Sequence, residues 1–353
     1  MTPSSLPNDD SHDSRYDRQV RLPMIGTAGQ AALRRADIAI LGVGALGSVA
    51  AELMARAGVG KLRLIDRDVV QASNLQRQSL FTEADAAQER SKVEAAAEML
   101  QRINAQVQYD ALARDVVPDN IESLLEQCDL VIDATDNFPS RLLLNDWAVR
   151  HAKPWVHGGC VGTAGQFRLF DGATSPCFRC LVPELPPPES IQTCDTAGVL
   201  GSATHVIASY QVAEAIKWIV GKRDAIRRAV TRVDLWSGRQ LEIEISPQLA
   251  AQCPVCSQRR FDFLQGAAGR RMQEGEKLCG RDSVQITGRP AIDPRWLRER
   301  IGGGGEIIER RFFTRLVIAD QCRMTFFKDG RILIDGTDDI GRAKAWLDRY
   351  IGS

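Results

Sequence analysis

The sequence predicts an α/β protein: a doubly wound, mainly parallel sheet with an antiparallel extension, followed by a small α+β module. Three observations carry this. Short apolar runs alternate with helical patterns from Ala36 onward. A glycine turn, GVGALG at 42–47, joins the first run to the first helix. After PWVHGGCVG the alternation gives way to hairpin-like strands around 165–172, and two Cys-x-x-Cys pairs follow.

Taken in order, residues 1–14 are polar and acidic, are expected to be disordered and do not read as a signal peptide. A strand (ADIAILG) then leads to a helix (SVAAELMARAG), and a strand (KLRLID) leads through a long loop to a second helix (ERSKVEAAAEMLQRIN). VQYDALARDV, the short helix IESLLEQ, the buried strand DLVIDATD and the helix SRLLLNDWAVRH follow. Strands and helices alternating at these lengths imply right-handed crossovers and a parallel sheet. After PWVHGGCVG come hairpin-like strands near 165–172, the long helix ATHVIASYQVAEAIKWIV, and two strands near VTRVDLWSGRQLEIEI. Residues 266–276 have the glycine and charge content of a linker. Residues 277–353 read strand, helix, strand, strand, strand, helix, with GGGG at 302–305 as a turn.

Composition narrows the function. Lys plus Arg equals Asp plus Glu at 45 each, so there is no global footprint for nucleic acid or an anionic membrane. No stretch approaches the ~18 apolar residues of a membrane span, and the cytoplasm is the expected compartment. In a reducing compartment, nine cysteines with two tight pairs argue for metal and reactive thiols rather than a disulfide framework.

Gly42, Gly44 and Gly47 satisfy G-x-G-x-x-G between a strand and a helix, which lets backbone approach phosphate at a helix N-terminus. Asp66 ends the next strand, where a carboxylate accepts from ribose hydroxyls. A glycine turn that merely packs helix on strand is the plainer reading. NLQRQ at 74–78 adds what a hydride-transfer enzyme does not need. A triphosphate needs several donors, and Arg77 and Lys92 fit. Asp136, in DATDN, lies at the C-terminal end of a strand and suits Mg²⁺. Alternatively Arg77 and Lys92 are solvated charges and Asp136 is a helix N-cap.

RYDRQ (15–19), GVGALG (42–47), D-x-D (66–68), NLQRQ, Lys92 and DATDN together resemble the ThiF/MoeB/HesA adenylyltransferases, relatives of ubiquitin-activating enzymes, over about residues 14–264. The resemblance implies an adenylation domain at 15–265 that binds MgATP and adenylates the C-terminal glycine of a ubiquitin-like sulfur carrier ending in Gly-Gly. It implies that Asp66 holds ribose, that Asn74, Arg77 and Lys92 hold phosphates with Gln78 of the same motif beside them, and that Asp136 holds magnesium. Arg18 would reach across a homodimer into the partner's ATP site.

Cys177–Cys180 and Cys253–Cys256 are two knuckles separated by 72 residues, a closed tetrahedral set suited to structural zinc, with an iron–sulfur cluster as the alternative. Cys194, downstream of PELPPPES, matches the cysteine that forms a thioester or acyl-persulfide in some relatives; it could equally be an ordinary loop cysteine. Cys160 is expected to pack in a strand and His157 to be a satisfied strand-end histidine. Cys128, Cys279 and Cys322 carry no signal. The tail does not match a sulfur-donating rhodanese domain. Other readings of the chain are a nicotinamide-dependent oxidoreductase, a binding module that has lost catalysis, and an adenylyltransferase acting on a peptide.

Overall fold

Ahead of the first strand the chain is helical, which its apolar periodicity does not suggest. The computed structural model describes residues 14–185, 194–266, 276–277, 282–286, 291–310, 312–318 and 322–352; the expected disorder of 1–13 lies outside them. A 3-10 turn (Ser14–Tyr16) leads into α1 (Asp17–Val20) and α2 (Gly26–Arg35). Tyr16 anchors this strap: it is buried, and its hydroxyl accepts from Asn104 Nδ2 at 2.8 Å. Its ring fills the space beside Gly58, where a Cβ would stand 2.4 Å from the Tyr16 Cζ. Gln19 Nε2 donates to the Gln30 Oε1 at 2.7 Å and to the Ala57 carbonyl at 3.0 Å.

The winding then follows the predicted order of strands and long helices, with four short helices that the pattern does not show. β1 (Asp37–Leu41), α3 (Gly47–Ala57), β2 (Lys61–Ile65), α4 (Glu83–Ala87), α5 (Lys92–Ile103) and β3 (Gln108–Leu112) form one half. α6 (Ile121–Leu125), β4 (Leu130–Asp133), α7 (Phe138–His151) and β5 (Trp155–Val161) form the other. β6 (Ala164–Phe170), α8 (Phe178–Leu181), α9 (Cys194–Ala197), α10 (Gly201–Ile219), β7 (Val230–Asp234), β8 (Arg239–Ile243) and α11 (Pro247–Ala251) follow. The eight strands lie in the order β3-β2-β1-β4-β5-β6-β7-β8. The first five are parallel, and β5 through β8 are antiparallel neighbours.

β1 sits at the centre because its apolar residues Ile38 to Leu41 are all but inaccessible. Burying each large side chain there contributes about 1.5–3 kcal/mol, which fixes the strand against helices on both faces. The loop after β4 is set by Asn137, whose side chain accepts from the Ser140 N–H at 2.9 Å and caps α7. The order reversal between β1 and β4 opens a crevice at their carboxyl ends, the usual ligand position in this architecture.

A second compact unit takes in residues 194–198 and the chain from Asp262 onward. Its antiparallel sheet runs β11 (Glu306–Glu309), β12 (Phe313–Ile318), β13 (Cys322–Phe327), β14 (Ile332–Asp335), β10 (Ser283–Ile286), β9 (Glu276–Lys277). α12 (Pro294–Ile301) and α13 (Ile340–Tyr350) share its core through Leu297, Ala343 and Leu347. Glu276 pairs with Gln285 in this sheet, so the last residue of the expected linker is in a strand; residues 267–275 lie outside the description. No helix among the described residues is long and apolar enough to cross a membrane.

Candidate active site

The glycine turn is close-packed for a backbone reason. Gly42 adopts φ +83°, and a Cβ there would stand 2.7 Å from the Ala134 carbonyl oxygen. A Cβ on Gly47 would stand 1.8 Å from the Gly42 carbonyl oxygen. The turn and the start of α3 therefore touch each other and the loop after β4. Gly44 is different: the nearest atom to a Cβ there is the Gln78 Nε2 at 3.8 Å. Its face is open to a ligand.

Asp66 follows β2 and ties this turn to the next. Its Oδ2 accepts from the Val43 N–H at 2.7 Å and its Oδ1 from the Asp68 N–H at 2.7 Å. Burial is the main cause that raises Asp66 above the usual carboxylate range, with Lys92 opposing and Asp68 adding. Lys92, the first residue of α5, is only 5% exposed. Its Nζ donates to Asp68 Oδ2 at 3.1 Å. Burial works against the ammonium, but Asp68, Asp66 and Asp136 together outweigh it and hold it above the ordinary lysine value. Lys92 is a buried cation with three carboxylates around it.

Asp136 is exposed, and its Oδ1 accepts only weakly, from Asn137 Nδ2 at 3.4 Å. Asn137, not Asp136, is the cap of α7, which leaves the Asp136 carboxylate available to a cation. Asn74 is buried and partly committed: its Oδ1 accepts from the Gln71 N–H at 3.1 Å, holding the 3-10 turn Ala72–Asn74. Arg77 donates to the Ser73 carbonyl at 2.8 Å and remains half-exposed. Gln78 is 4% exposed; its Nε2 is the atom nearest the open face of Gly44, and its Oε1 has no hydrogen-bond partner.

Behind the crevice lies a network that sequence reasoning missed. Asp133, fully buried at the end of β4, accepts from Thr135 Oγ1 at 2.6 Å and pairs with His157 Nδ1 at 3.0 Å and Arg141 Nε at 3.4 Å. Arg141 also donates to the carbonyls of Thr135 and Gly158. Burial opposes the charge of Asp133, yet His157, Arg141 and Thr135 hold it below the usual carboxylate range. Burial drives His157 below the ordinary histidine value. His157 is thus the satisfied buried histidine its strand position suggests. Together these groups fix the loop that presents Asp136.

Arg18 lies exposed on α1, on a strap whose Tyr16 and Gln19 point inward. The side chain of Cys194 and the whole of Cys279 lie outside the described residues. The four knuckle cysteines converge: Cys177 Sγ stands 3.7 Å from Cys253 and 4.0 Å from Cys180, and Cys180 Sγ 3.5 Å from Cys256. All four sulfurs lie within 4.8 Å of one another, the only such ligand grouping among the described residues. A tetrahedron with ~2.3 Å Zn–S bonds has edges of roughly 3.8 Å, so the set fits zinc. Asn145 steadies it, with Oδ1 accepting from the Phe178 N–H at 2.9 Å and Nδ2 donating to Cys177 Sγ at 3.7 Å.

Comparison with known proteins agrees with this geometry. The ThiF family matches residues 16–255. The sulfur carrier protein ThiS adenylyltransferase of Bacillus subtilis (strain 168) is 38% identical over 344 residues, covering 96% of this chain and 99% of that protein. The sulfur carrier protein adenylyltransferase of Thermus thermophilus is 35% identical over 273 residues, 75% of this chain and 96% of that one. The adenylyltransferase and sulfurtransferase MOCS3 of Culex quinquefasciatus is 41% identical, but only 55% of its length is spanned. Among solved structures, E. coli MccB with MccA-N7isoASN superposes with a TM-score of 0.61 at 20% identity, covering 70% of this chain and 76% of that one, which shows a shared fold. The glycine turn, the buried lysine among its carboxylates and these matches place the chain in the ThiF family, as an adenylyltransferase.

Proposed function

We propose that the chain uses MgATP to adenylate the C-terminal glycine carboxylate of a small ubiquitin-like sulfur carrier with a Gly-Gly end, working in the cytoplasm as a homodimer. The observation that carries this reading is Lys92, buried and charged among Asp66, Asp68 and Asp136 at the mouth of the glycine turn. The match to a sulfur carrier adenylyltransferase along nearly its whole length supports the choice of acceptor.

The carrier carboxylate attacks the α-phosphorus; a C(O)O–P bond forms, the bond to the α,β-bridging oxygen breaks, and pyrophosphate leaves. The nucleophile is already ionised, so no general base is needed. What limits the step is charge, because an anion approaches a polyanion. Positioned cations meet that need: Lys92 and Arg77 at the phosphates, and Arg18 donated from the partner subunit. Asp66 receives the ribose hydroxyls, Asn74 donates its amide N–H to phosphate, and Gln78 and the glycine turn close around the nucleotide. Asp136 would hold magnesium, which supplies charge neutralisation on the phosphates. Cys177, Cys180, Cys253 and Cys256 would hold a structural zinc, with no open position for chemistry. Cys194 is proposed to take the acyl group from the adenylate, its thiolate displacing AMP to leave a thioester.

The test is ATP–pyrophosphate exchange. Exchange should require a carrier with an intact C-terminal glycine and vanish when that residue is removed. Exchange driven equally well by a short free peptide would transfer the acceptor role to peptides, and hydride transfer with a nicotinamide cofactor would overturn the reading.

A further inference from the structure

Asp68, the second carboxylate of the D-x-D stretch, is bonded to both Asp66 and Lys92. Its N–H donates to Asp66 Oδ1 at 2.7 Å, its carbonyl accepts from the Lys92 N–H at 3.0 Å, and its Oδ2 accepts from Lys92 Nζ at 3.1 Å. Ser91, at the cap of α5, makes no side-chain capping bond. The start of that helix is instead moored by main-chain ties to the loop after β2: the Asp68–Lys92 bond, and a second from the Val70 N–H to the Arg90 carbonyl at 2.8 Å. One residue thus grips Lys92 twice, at its backbone and at the tip of its side chain.

The other two carboxylates near Lys92 are placed differently. Both oxygens of Asp66 accept main-chain N–H groups, those of Val43 at 2.7 Å and Asp68. Asp66 and Asp136 act on the ammonium through charge alone, whereas Asp68 also hydrogen-bonds it. The Lys92 side chain is 6% exposed, and a cation so enclosed needs its charge met by a fixed partner. A lysine stem is flexible, and a misplacement of ~1 Å at a reacting site can cost about 100-fold in rate. Asp68 takes one of the three N–H donors of Nζ, and the others can face phosphate. We propose that Asp68 is a positioning residue for adenylation: it fixes Lys92 Nζ relative to Asp66, so that the cation offered to the phosphates and the carboxylate offered to the ribose keep a set separation. This rests on the MgATP reading above, and Asp68 acts through Lys92.

The experiment measures MgATP dissociation constants by calorimetry on the full chain, for wild type, Lys92→Met, Asp68→Ala, Asp68→Asn and the two double variants. A wild type that does not bind MgATP, or a Lys92→Met protein that binds it as tightly, sinks the nucleotide reading itself and the role of Asp68 with it. Given a wild type that binds and a weakened Lys92→Met, Asp68→Ala should bind MgATP about 10-fold more weakly than wild type. Asp68→Asn, which keeps an oxygen for Nζ but not the charge, should lose less. In the Lys92→Met background neither change should shift the constant by more than about 2-fold, since nothing is left to position. Weakening by the same factor in both backgrounds overturns the proposal and marks Asp68 as general support for the loop. Unchanged binding in Asp68→Ala overturns it as well. So does tighter binding, because the carboxylate then repels the phosphates more than it serves the lysine. If Asp68→Ala does not fold, Asp68→Asn, which is isosteric and keeps the main-chain bonds, decides by the same comparison between backgrounds.

Discussion

Two single-methyl substitutions separate what the glycine turn does for the fold from what it does for the ligand. In Gly47→Ala the new Cβ would stand 1.8 Å from the Gly42 carbonyl oxygen, whereas carbon and oxygen come no closer than roughly 3.3 Å even in favourable contacts. The turn and α3 must therefore part by about 1.5 Å. Overpacking of this kind costs about 1–3 kcal/mol, so melting should fall by on the order of 5–10 °C, and displacement of the phosphate cradle should lower activity by about 100-fold. In Gly44→Ala the methyl meets nothing closer than 3.8 Å, so melting should stay within about 1 °C of wild type. The methyl would instead occupy the face where phosphate approaches backbone, and the KM for ATP should rise by at least about 10-fold. Differential scanning fluorimetry with and without ATP, together with pyrophosphate exchange, reads both. Wild-type affinity for ATP in a folded Gly44→Ala protein would mean that the phosphates lie elsewhere.

Asp136→Ala should abolish carrier-dependent exchange with unchanged melting, because Asp136 is exposed and Asn137 performs the capping; retained exchange would remove Asp136 from the magnesium role. Mixing Arg18→Ala with Asp136→Ala and allowing subunits to exchange should restore part of the activity, since a mixed dimer has one site with intact Asp136 and a donated Arg18. No recovery with heterodimers present would confine Arg18 to its own chain. Purified protein should carry about one zinc per chain, and a chelator strong enough to remove it should lower the melting temperature; elemental analysis and a melt check both. Lys92 is held above its ordinary value of 10.5, so its contribution to stability is full below that pH and is lost as pH rises through the higher folded value. Lys92→Met should therefore flatten the alkaline limb of the stability curve, and an unchanged alkaline limb would contradict the buried charge.

What was legible in the sequence was local. The glycine turn, the apolar strands and the paired cysteines each announce themselves within a few residues, and these fix the sheet, the nucleotide crevice and the metal-ligand set. The residues that escaped are those whose partners are distant in sequence. Asp133 is held by Arg141 from α7 and His157 from β5, and neither spacing nor composition signals that encounter. Asp68 shows its role only when α5 brings Lys92 to it across 24 positions. α1 and α2 went unpredicted because α1 buries none of its own residues and hangs on Tyr16 and Gln19, and α2 buries Leu33 with Gln30, which donates to the Ala57 carbonyl, rather than an apolar stripe. In the C-terminal unit the pattern missed two strands: β9, which is two residues long and exists only by pairing with β10, and one of the four that lie between α12 and α13, where it gave three.

Helix α3 begins at Gly47 and ends against Gly58, where the Tyr16 ring is seated. It is a rod of 11 residues, about 16 Å long, with the nucleotide turn at one tip and the strap bearing Arg18 at the other. Under the proposed dimer, each subunit's grip on its own ATP and the cation it lends its partner hang from the same rigid piece. The spacing between receiving and giving is then set by one helix length rather than by the sum of several flexible joints. A residue inserted in α3 would displace the seats at its far end, Gly58 under the Tyr16 ring and the Ala57 carbonyl under Gln19, while the glycine turn stayed in place.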